Sequence, residues 1–225
     1  MASESYRILK ESTESRFQCI ATQLQNPIDT VISFSGICKD YCVCIVDVVS
    51  STKITASLTP AKACVYYSIF LNSIALIAKE FGASIVKNVG DSLLYYFPQT
   101  SEISNSLAFN DAIECGLQMI KSRHIVNKKM LDAGLQPISF RISCDYGAVM
   151  KAKSESSTVD DIFGPTVNMC AKINSKTTPN TISIGSDMYQ VVKSLPTYKF
   201  KQIAEYSVGF KQSYPIYGVT EDGYT

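Results

Sequence analysis

Two aspartates carry the clearest chemical signal in the chain. Asp47 closes the run Cys42-Val-Cys-Ile-Val-Asp47, an apolar, β-branched stretch suited to a buried central strand. Asp91 follows a glycine in Val89-Gly90-Asp91, between two short strand-like segments where a hairpin tip is expected. If the two strands are neighbours, both carboxylates arrive at one end of one sheet. Two hard oxygen ligands with open coordination positions suit a pair of divalent ions, magnesium or manganese, holding a polyphosphate. Behind Asp47 comes Val48-Val49-Ser50-Ser51-Thr52, a turn of small residues whose unpaired amides can cradle phosphate without side-chain charge. Taken singly, Asp47 also reads as a strand-end cap and Asp91 as a turn residue bonded to its own backbone.

The elements that must position these residues alternate between two hydrophobic periods. Cys42 to Val49 reads as a strand, and Thr59-Pro60 offers an N-cap followed by a proline at the first helical position. Val65, Tyr66, Ile69, Phe70, Ile74 and Ile77 then recur at helical spacing until Gly82. Ala83 to Asn88 and Ser92 to Phe97 form the expected hairpin, and Asn105 to about Ala133 reads as one long helix closed by Gly134 and Pro137. Ile138, Phe140, Ile142 and Cys144 alternate with Ser139, Arg141, Ser143 and Asp145, which predicts a strand with one buried and one polar face. Gly147 is expected to turn the chain into Ala148 to Lys151. A short helix at about Pro165 to Asn174, a strand at Thr181 to Gly185, a helix from Ser186 and closing strands near Tyr198 to Ala204 and Pro215 to Val219 complete the series.

The order strand–helix–strand–strand–helix–strand predicts an α+β, ferredoxin-like fold: an antiparallel sheet with helices on one face, the other face being left for a partner or ligand. Ahead of it, Ile8, Leu9, Phe17, Ile20 and Leu24 form an imperfect helical stripe that ends at Asn26-Pro27. Residues 1–38 are therefore expected to be a helical extension, and 39–225 the main domain.

Composition sets the limits on function. In 225 residues, 46% apolar and 18% charged, there is ample material for a packed core. A net charge of +1 argues against a nucleic-acid tail or an anionic-membrane patch, both of which need clustered surplus charge. No run approaches the ~18 consecutive apolar residues of a spanning helix, and the first twenty residues lack a basic start followed by an apolar run. A soluble cytoplasmic protein with neither a nucleic-acid nor a membrane partner is the expectation. Of the eight cysteines only Cys38, Cys42 and Cys44 cluster, no Cys-x-x-Cys pair exists, and the single histidine, His124, lies far off. A zinc site needs four well-spaced soft ligands, so free thiols in a reducing compartment are the better reading.

Several segments together add to this. Cys42-Val-Cys-Ile-Val-Asp47-Val-Val-Ser-Ser-Thr52-Lys-Ile resembles the first metal-binding strand and phosphate turn of the class III nucleotidyl cyclases, the adenylyl and guanylyl cyclase catalytic domain. Val86 to Phe97 resembles that family's second metal hairpin, and Ile142 to Gly147 its middle strand and glycine turn. Asp161-Ile-Phe-Gly164-Pro-Thr-Val167-Asn168-Met-Cys-Ala-Lys172-Ile is similar to its second catalytic segment, and Gly209 to Val219 to its closing pattern. The five blocks stand in the family's order and spacing over about residues 40–219.

The resemblance implies that Asp47 and Asp91 ligate two metal ions, Mg2+ or Mn2+. Lys87 and Asp161 match positions that read the purine. An ammonium donor and a carboxylate acceptor suit adenine, whereas guanine-reading relatives typically carry a glutamate and a cysteine there. Asn168 would orient the ribose. Because family sites form between two catalytic domains packed head to tail, a single domain implies a symmetric homodimer with two composite sites. The activity implied is conversion of ATP to 3′,5′-cyclic AMP and pyrophosphate. The departures gather on the transition-state half. Lys172 stands four residues after Asn168 where an arginine is usual, Val208 replaces a lysine just before Gly209 with Lys211 nearby, and Ser51 stands where phenylalanine is common. A catalytically silent nucleotide-binding or dimer-regulating module, and a cyclase using GTP or another triphosphate, are the alternatives.

Overall fold

The computed structural model describes residues 2–25, 32–154, 160–207 and 213–222. Helix α1 (Ala2–Leu24) precedes the long strand β1 (Ile32–Val48), which leads into the short helix α2 (Ser51–Ala56) and the long helix α3 (Pro60–Glu80). The hairpin β2 (Ser84–Val89) and β3 (Ser92–Phe97) continues through a 3-10 turn to α4 (Ser106–Lys121) and α5 (Arg123–Asp132). Next come β4 (Phe140–Ser154), the short β5 (Asp161–Phe163), α6 (Pro165–Lys176), β6 (Ile182–Gly185) and α7 (Ser186–Val192). Strands β7 (Tyr198–Tyr206) and β8 (Tyr214–Glu221) close the chain. One sheet runs β2-β3-β1-β4-β6-β8-β7, with β5 paired to β4, and among the described residues only the β4–β6 pair is parallel. Its first four strands, joined by α3 and by α4–α5, make the expected ferredoxin-like arrangement.

Local chemistry explains most boundaries. The Thr59 hydroxyl accepts from the Lys62 amide, and Pro60 opens α3. Gly82 and Gly90 take positive φ values where α3 ends and where β2 turns into β3. The single helix expected from Asn105 to Ala133 is divided at Ser122. Helix α4 ends there with the Ser122 amide on the Gln118 carbonyl, and α5 restarts from the Ser122 carbonyl. The break re-aims the chain so that Val126 and Met130 join the buried cluster containing α3 residues Tyr66, Phe70 and Ile74. Strand β1 begins earlier than the hydrophobic run suggests, with a register shift between Phe34 and Cys38 around Gly36, and so the expected border after residue 38 falls inside it. The side chains of Phe17, Ile20 and Leu24 on α1 are exposed. The stop expected at Asn26-Pro27 and the closing-segment residues Val208, Gly209 and Lys211 lie outside the described residues.

Two faces of the sheet are covered differently. Cys42, Cys44, Val46, Phe140, Ile142 and Cys144 pack under α3, α4 and α7 in the main core. Cys44 and Cys144 face each other in register, with the Cys44 thiol donating to Cys144 Sγ at 2.8 Å. All eight cysteines are free, and burial pushes the Cys44, Cys115 and Cys170 thiols up, away from the reactive thiolate form. On the opposite face Tyr41, Val43, Val149 and Ile162 gather around Cys170 of α6. The polar face expected on β4 is therefore not solvated there: Ser143 and Asp145 are buried, because α6 lies over them. Gly147 does not turn the chain; β4 runs through it, paired to Tyr41. A Cβ at 147 would stand 2.9 Å from Thr166 Oγ1, so glycine lets α6 begin close to the sheet.

Among the described residues one helix, α3, is long and apolar enough to cross a membrane by length and composition. Its apolar side has an occupant in the fold, since Tyr66, Phe70, Ile74 and Ala78 are fully packed against the sheet.

Candidate active site

Register places the two aspartates. Asp47 pairs with Ser92 across β1 and β3, so Asp91, one residue earlier in the β2–β3 turn, arrives beside it. The two carboxylates are close enough for the charge on Asp91 to act on Asp47. Burial pushes the Asp47 carboxyl above the usual carboxylate range, a hydrogen bond from Arg141 pulls it back, and Asp91 adds to the rise. Arg141 pairs with Asp47 across β1 and β4, and its guanidinium donates to Asp47 Oδ2 at 3.1 Å. The Tyr66 phenol comes in from α3. Burial raises it, with the charges of Asp91 and Asp47 adding to the effect.

Three polar atoms at this end are buried without a hydrogen-bond partner among the described residues: Asp91 Oδ2, Tyr66 Oη and Arg141 Nε. Buried orphans are rare in folded proteins and point to an ion or water that belongs in the site. A buried, unpaired carboxylate oxygen beside a second carboxylate fits a divalent cation. The described residues hold no group of three or more His, Cys, Asp or Glu side chains able to enclose a metal. Asp47 and Asp91 would thus leave most coordination positions open for phosphate oxygens or water.

The turn after Asp47 divides. Val48 is a buried strand residue, and the Val49 amide donates to the Ser139 carbonyl at 2.8 Å. Ser50, in the left-handed region at φ 60°, caps α2, and Lys53 and Ile54 bond back to its carbonyl. The first-turn amides of Ser51 and Thr52 have no acceptor within the helix, so the available donors sit at the far end of the proposed cradle.

Lys87 and Asp161 lie 74 positions apart, yet β2 and β5 bring them into a direct ion pair. Both remain partly exposed, and the Lys87 ammonium stands 5.8 Å from the centre of the Phe163 ring. The Ile162 amide fixes the other Asp161 oxygen at 2.8 Å. Lys87 opens onto a polar groove of about 860 Å³ whose walls include Lys79, Asn88, Tyr96, Lys153 and Asp160. Next to the groove, the Lys151 ammonium donates to the hydroxyl of the wall residue Tyr96 at 2.7 Å and stands over the Tyr96 and Tyr41 rings.

Asn168 and Lys172 are one turn apart on the exposed side of α6, opposite the stripe of Met169, Cys170 and Ile173 that packs on the sheet. Among the described residues neither makes a side-chain hydrogen bond or ion pair with Asp47, Asp91, Lys87 or Asp161. The candidate residues thus form two groups in one chain, the Asp47–Asp91 end and the Lys87–Asp161 groove, with the α6 side chains facing outward. Arg141, Tyr66 and Lys151 escaped the sequence reading because only strand register and helix packing bring them to these sites. Arg141 had appeared as one polar residue in an alternating strand.

Comparisons with known proteins give the family and the fold. A curated relative, the cytidylate cyclase of Staphylococcus aureus, is 26% identical over 153 residues, which is 65% of this chain and 36% of that protein's length. The chain thus spans about a third of that relative. Among solved structures, the adenylyl cyclase CyaB from P. aeruginosa superposes with a TM-score of 0.72 at 23% identity, covering 82% of this chain and 95% of that one. The guanylyl cyclase Cya2 gives 0.69 at 25% identity, covering 82% and 93%. The family model of the adenylate and guanylate cyclase catalytic domain matches residues 37–221, and the chain belongs to that family.

Proposed function

We propose that the protein is an adenylate cyclase, converting ATP to 3′,5′-cyclic AMP and pyrophosphate in the cytoplasm at sites shared by a head-to-tail homodimer. The observation that carries this reading is the Lys87–Asp161 pair, a donor and an acceptor held side by side at the edge of a basic groove. An ammonium can only donate and an ionised carboxylate can only accept, which suits the ring nitrogen and exocyclic amine of adenine. Asp47 and Asp91 would hold two divalent ions, Mg2+ or Mn2+, which would supply acidification of the ribose 3′-hydroxyl and neutralisation of the triphosphate. Of the segment Val48, Val49, Ser50, Ser51 and Thr52, the far-end amides of Ser51 and Thr52 face the phosphates, since the Val49 amide is held by the Ser139 carbonyl. Asn168 orients the ribose, and Lys172 offsets charge on the α-phosphate as the oxygen–phosphorus bond forms and pyrophosphate leaves. The exposed position of Asn168 and Lys172, outside both groups in their own chain, supports delivery to a partner's metal end.

The test is product analysis after incubation with each of the four triphosphates and manganese, beside an Asp47→Asn control. Cyclic AMP from ATP, absent in the control, is expected. The S. aureus relative favours a second reading, in which a pyrimidine triphosphate is the substrate, and cyclic CMP as the main product would establish it. No product above the control with any nucleotide would support a silent nucleotide-binding module instead.

A further inference from the structure

The two aspartates meet in a setting that already contains a cation. Arg141 is not a distant residue that happens to reach Asp47; the β1–β4 register sets the two directly opposite each other. The guanidinium takes Oδ2 of Asp47 at 3.1 Å, and both side chains are only about a quarter exposed, at 26% and 25%. The pairing is incomplete on the arginine side. Nε is buried with no partner, although a planar fork that engaged a carboxylate fully would use two of its five donors in parallel. Around the pair two further atoms are orphaned, since the buried Asp91 Oδ2 and the Tyr66 hydroxyl have no partner among the described residues. A strut built for stability alone would gain from filling these positions, because a buried polar atom left without a partner keeps its full desolvation cost.

We propose that Arg141 is a positioning residue that holds the place of the metal: it neutralises Asp47 until a divalent ion takes the same carboxylate oxygen and displaces it. This rests on the reading of Asp47 and Asp91 as metal ligands. Two carboxylates side by side in a half-buried pocket repel each other, and one guanidinium offsets a single charge. A divalent ion held by Asp47 and Asp91 would offset both charges and would give the Asp91 orphan a partner that the arginine does not supply. The exchange keeps Asp47 oriented in the absence of metal, so the site is formed before the ion arrives, and metal affinity is lowered by the cost of breaking the pair.

Manganese binding followed by electron paramagnetic resonance without nucleotide separates this role from a merely structural one. Arg141→Gln is expected to bind Mn2+ about two- to fivefold more tightly than wild type, the range set by breaking a partly exposed ion pair. Unchanged affinity with lowered thermal stability would overturn the displacement and leave Arg141 a strut. A measurement on the wild-type protein guards against a variant that fails to fold. The Arg141 Nε resonance is expected to shift on Mg2+ titration with the same midpoint as metal binding. A resonance unmoved at saturating Mg2+ overturns the proposal while leaving Asp47 and Asp91 as ligands. No metal binding by the wild type overturns both.

Discussion

Lys172 stands one turn beyond Asn168 on the outer side of α6, where an arginine is usual in the family the sequence resembles. Lysine keeps the positive charge but presents it as a point on a flexible stem, without the planar pair of donors that fits two phosphate oxygens. Lys172→Arg is therefore expected to raise kcat by about tenfold with little change in KM. A fall, or no change, in steady-state assays would place Lys172 outside the reacting centre. Asp145 gives a different prediction. It lies under α6, 1% exposed, and accepts from the Tyr214 hydroxyl at 2.9 and 3.0 Å. Burial pushes its carboxyl up to about 7, against the pull of the Tyr214 hydrogen bond. The native state then binds more protons than the unfolded chain between about pH 4 and pH 7, so Asp145 makes stability fall as pH rises through that window. Asp145→Asn should flatten this slope and raise Tm at pH 8 by about 2–4 °C for each kcal/mol of burial cost removed, with little effect at pH 4. Thermal melts of both proteins at the two pH values check it.

At the scale of elements, α6 decides how the outer group of residues is presented. Gly164 precedes it at φ 149°, and a Cβ there would stand 2.6 Å from the backbone oxygen of Ala148. Gly164→Ala is expected to cost about 1–3 kcal/mol and to lower kcat by tilting Asn168 and Lys172 away. Urea unfolding should show a reduced midpoint with an unchanged slope. How much of this was legible in the sequence depends on the range of the interaction concerned. The Thr59-Pro60 start, the Gly90 turn and the alternation from Ile138 are local signals, and the elements stand where those signals place them. The break at Ser122 was hidden because both halves of the segment have helical periodicity, and only packing of Val126 and Met130 into the α3 cluster calls for a new direction. The second covered face was hidden for a related reason. Ser143 and Asp145 look like solvent-facing residues until α6, some twenty residues later, folds over them. Asp47 and Asp91 were legible as candidates, but the orphaned atoms and the arginine beside them belong to the register of three strands.

For the whole molecule, the proposed division of labour between two chains has a direct test. Asp47→Asn loses the metal end and Lys172→Ala the α6 contribution, so each variant alone is expected to be nearly inactive. Mixed and allowed to exchange, they should recover about a quarter of wild-type activity, because half the dimers are mixed and each mixed dimer keeps one intact site. No recovery after proven exchange would mean that each site is built within one chain. The central position of β1 has a further consequence, for the order of events in folding. Its partners are β3, about fifty residues on, and β4, about a hundred residues on. Asp47 meets the Asp91 turn and Arg141 only once those distant pairings have closed, a step that is slow because long loops must be ordered before any contact rewards them. If Asp47 and Asp91 are the ligands proposed above, magnesium would find them only on a finished sheet. It should slow the rate at which the native protein comes apart and leave the rate of refolding untouched, as paired stopped-flow experiments with and without the ion would report.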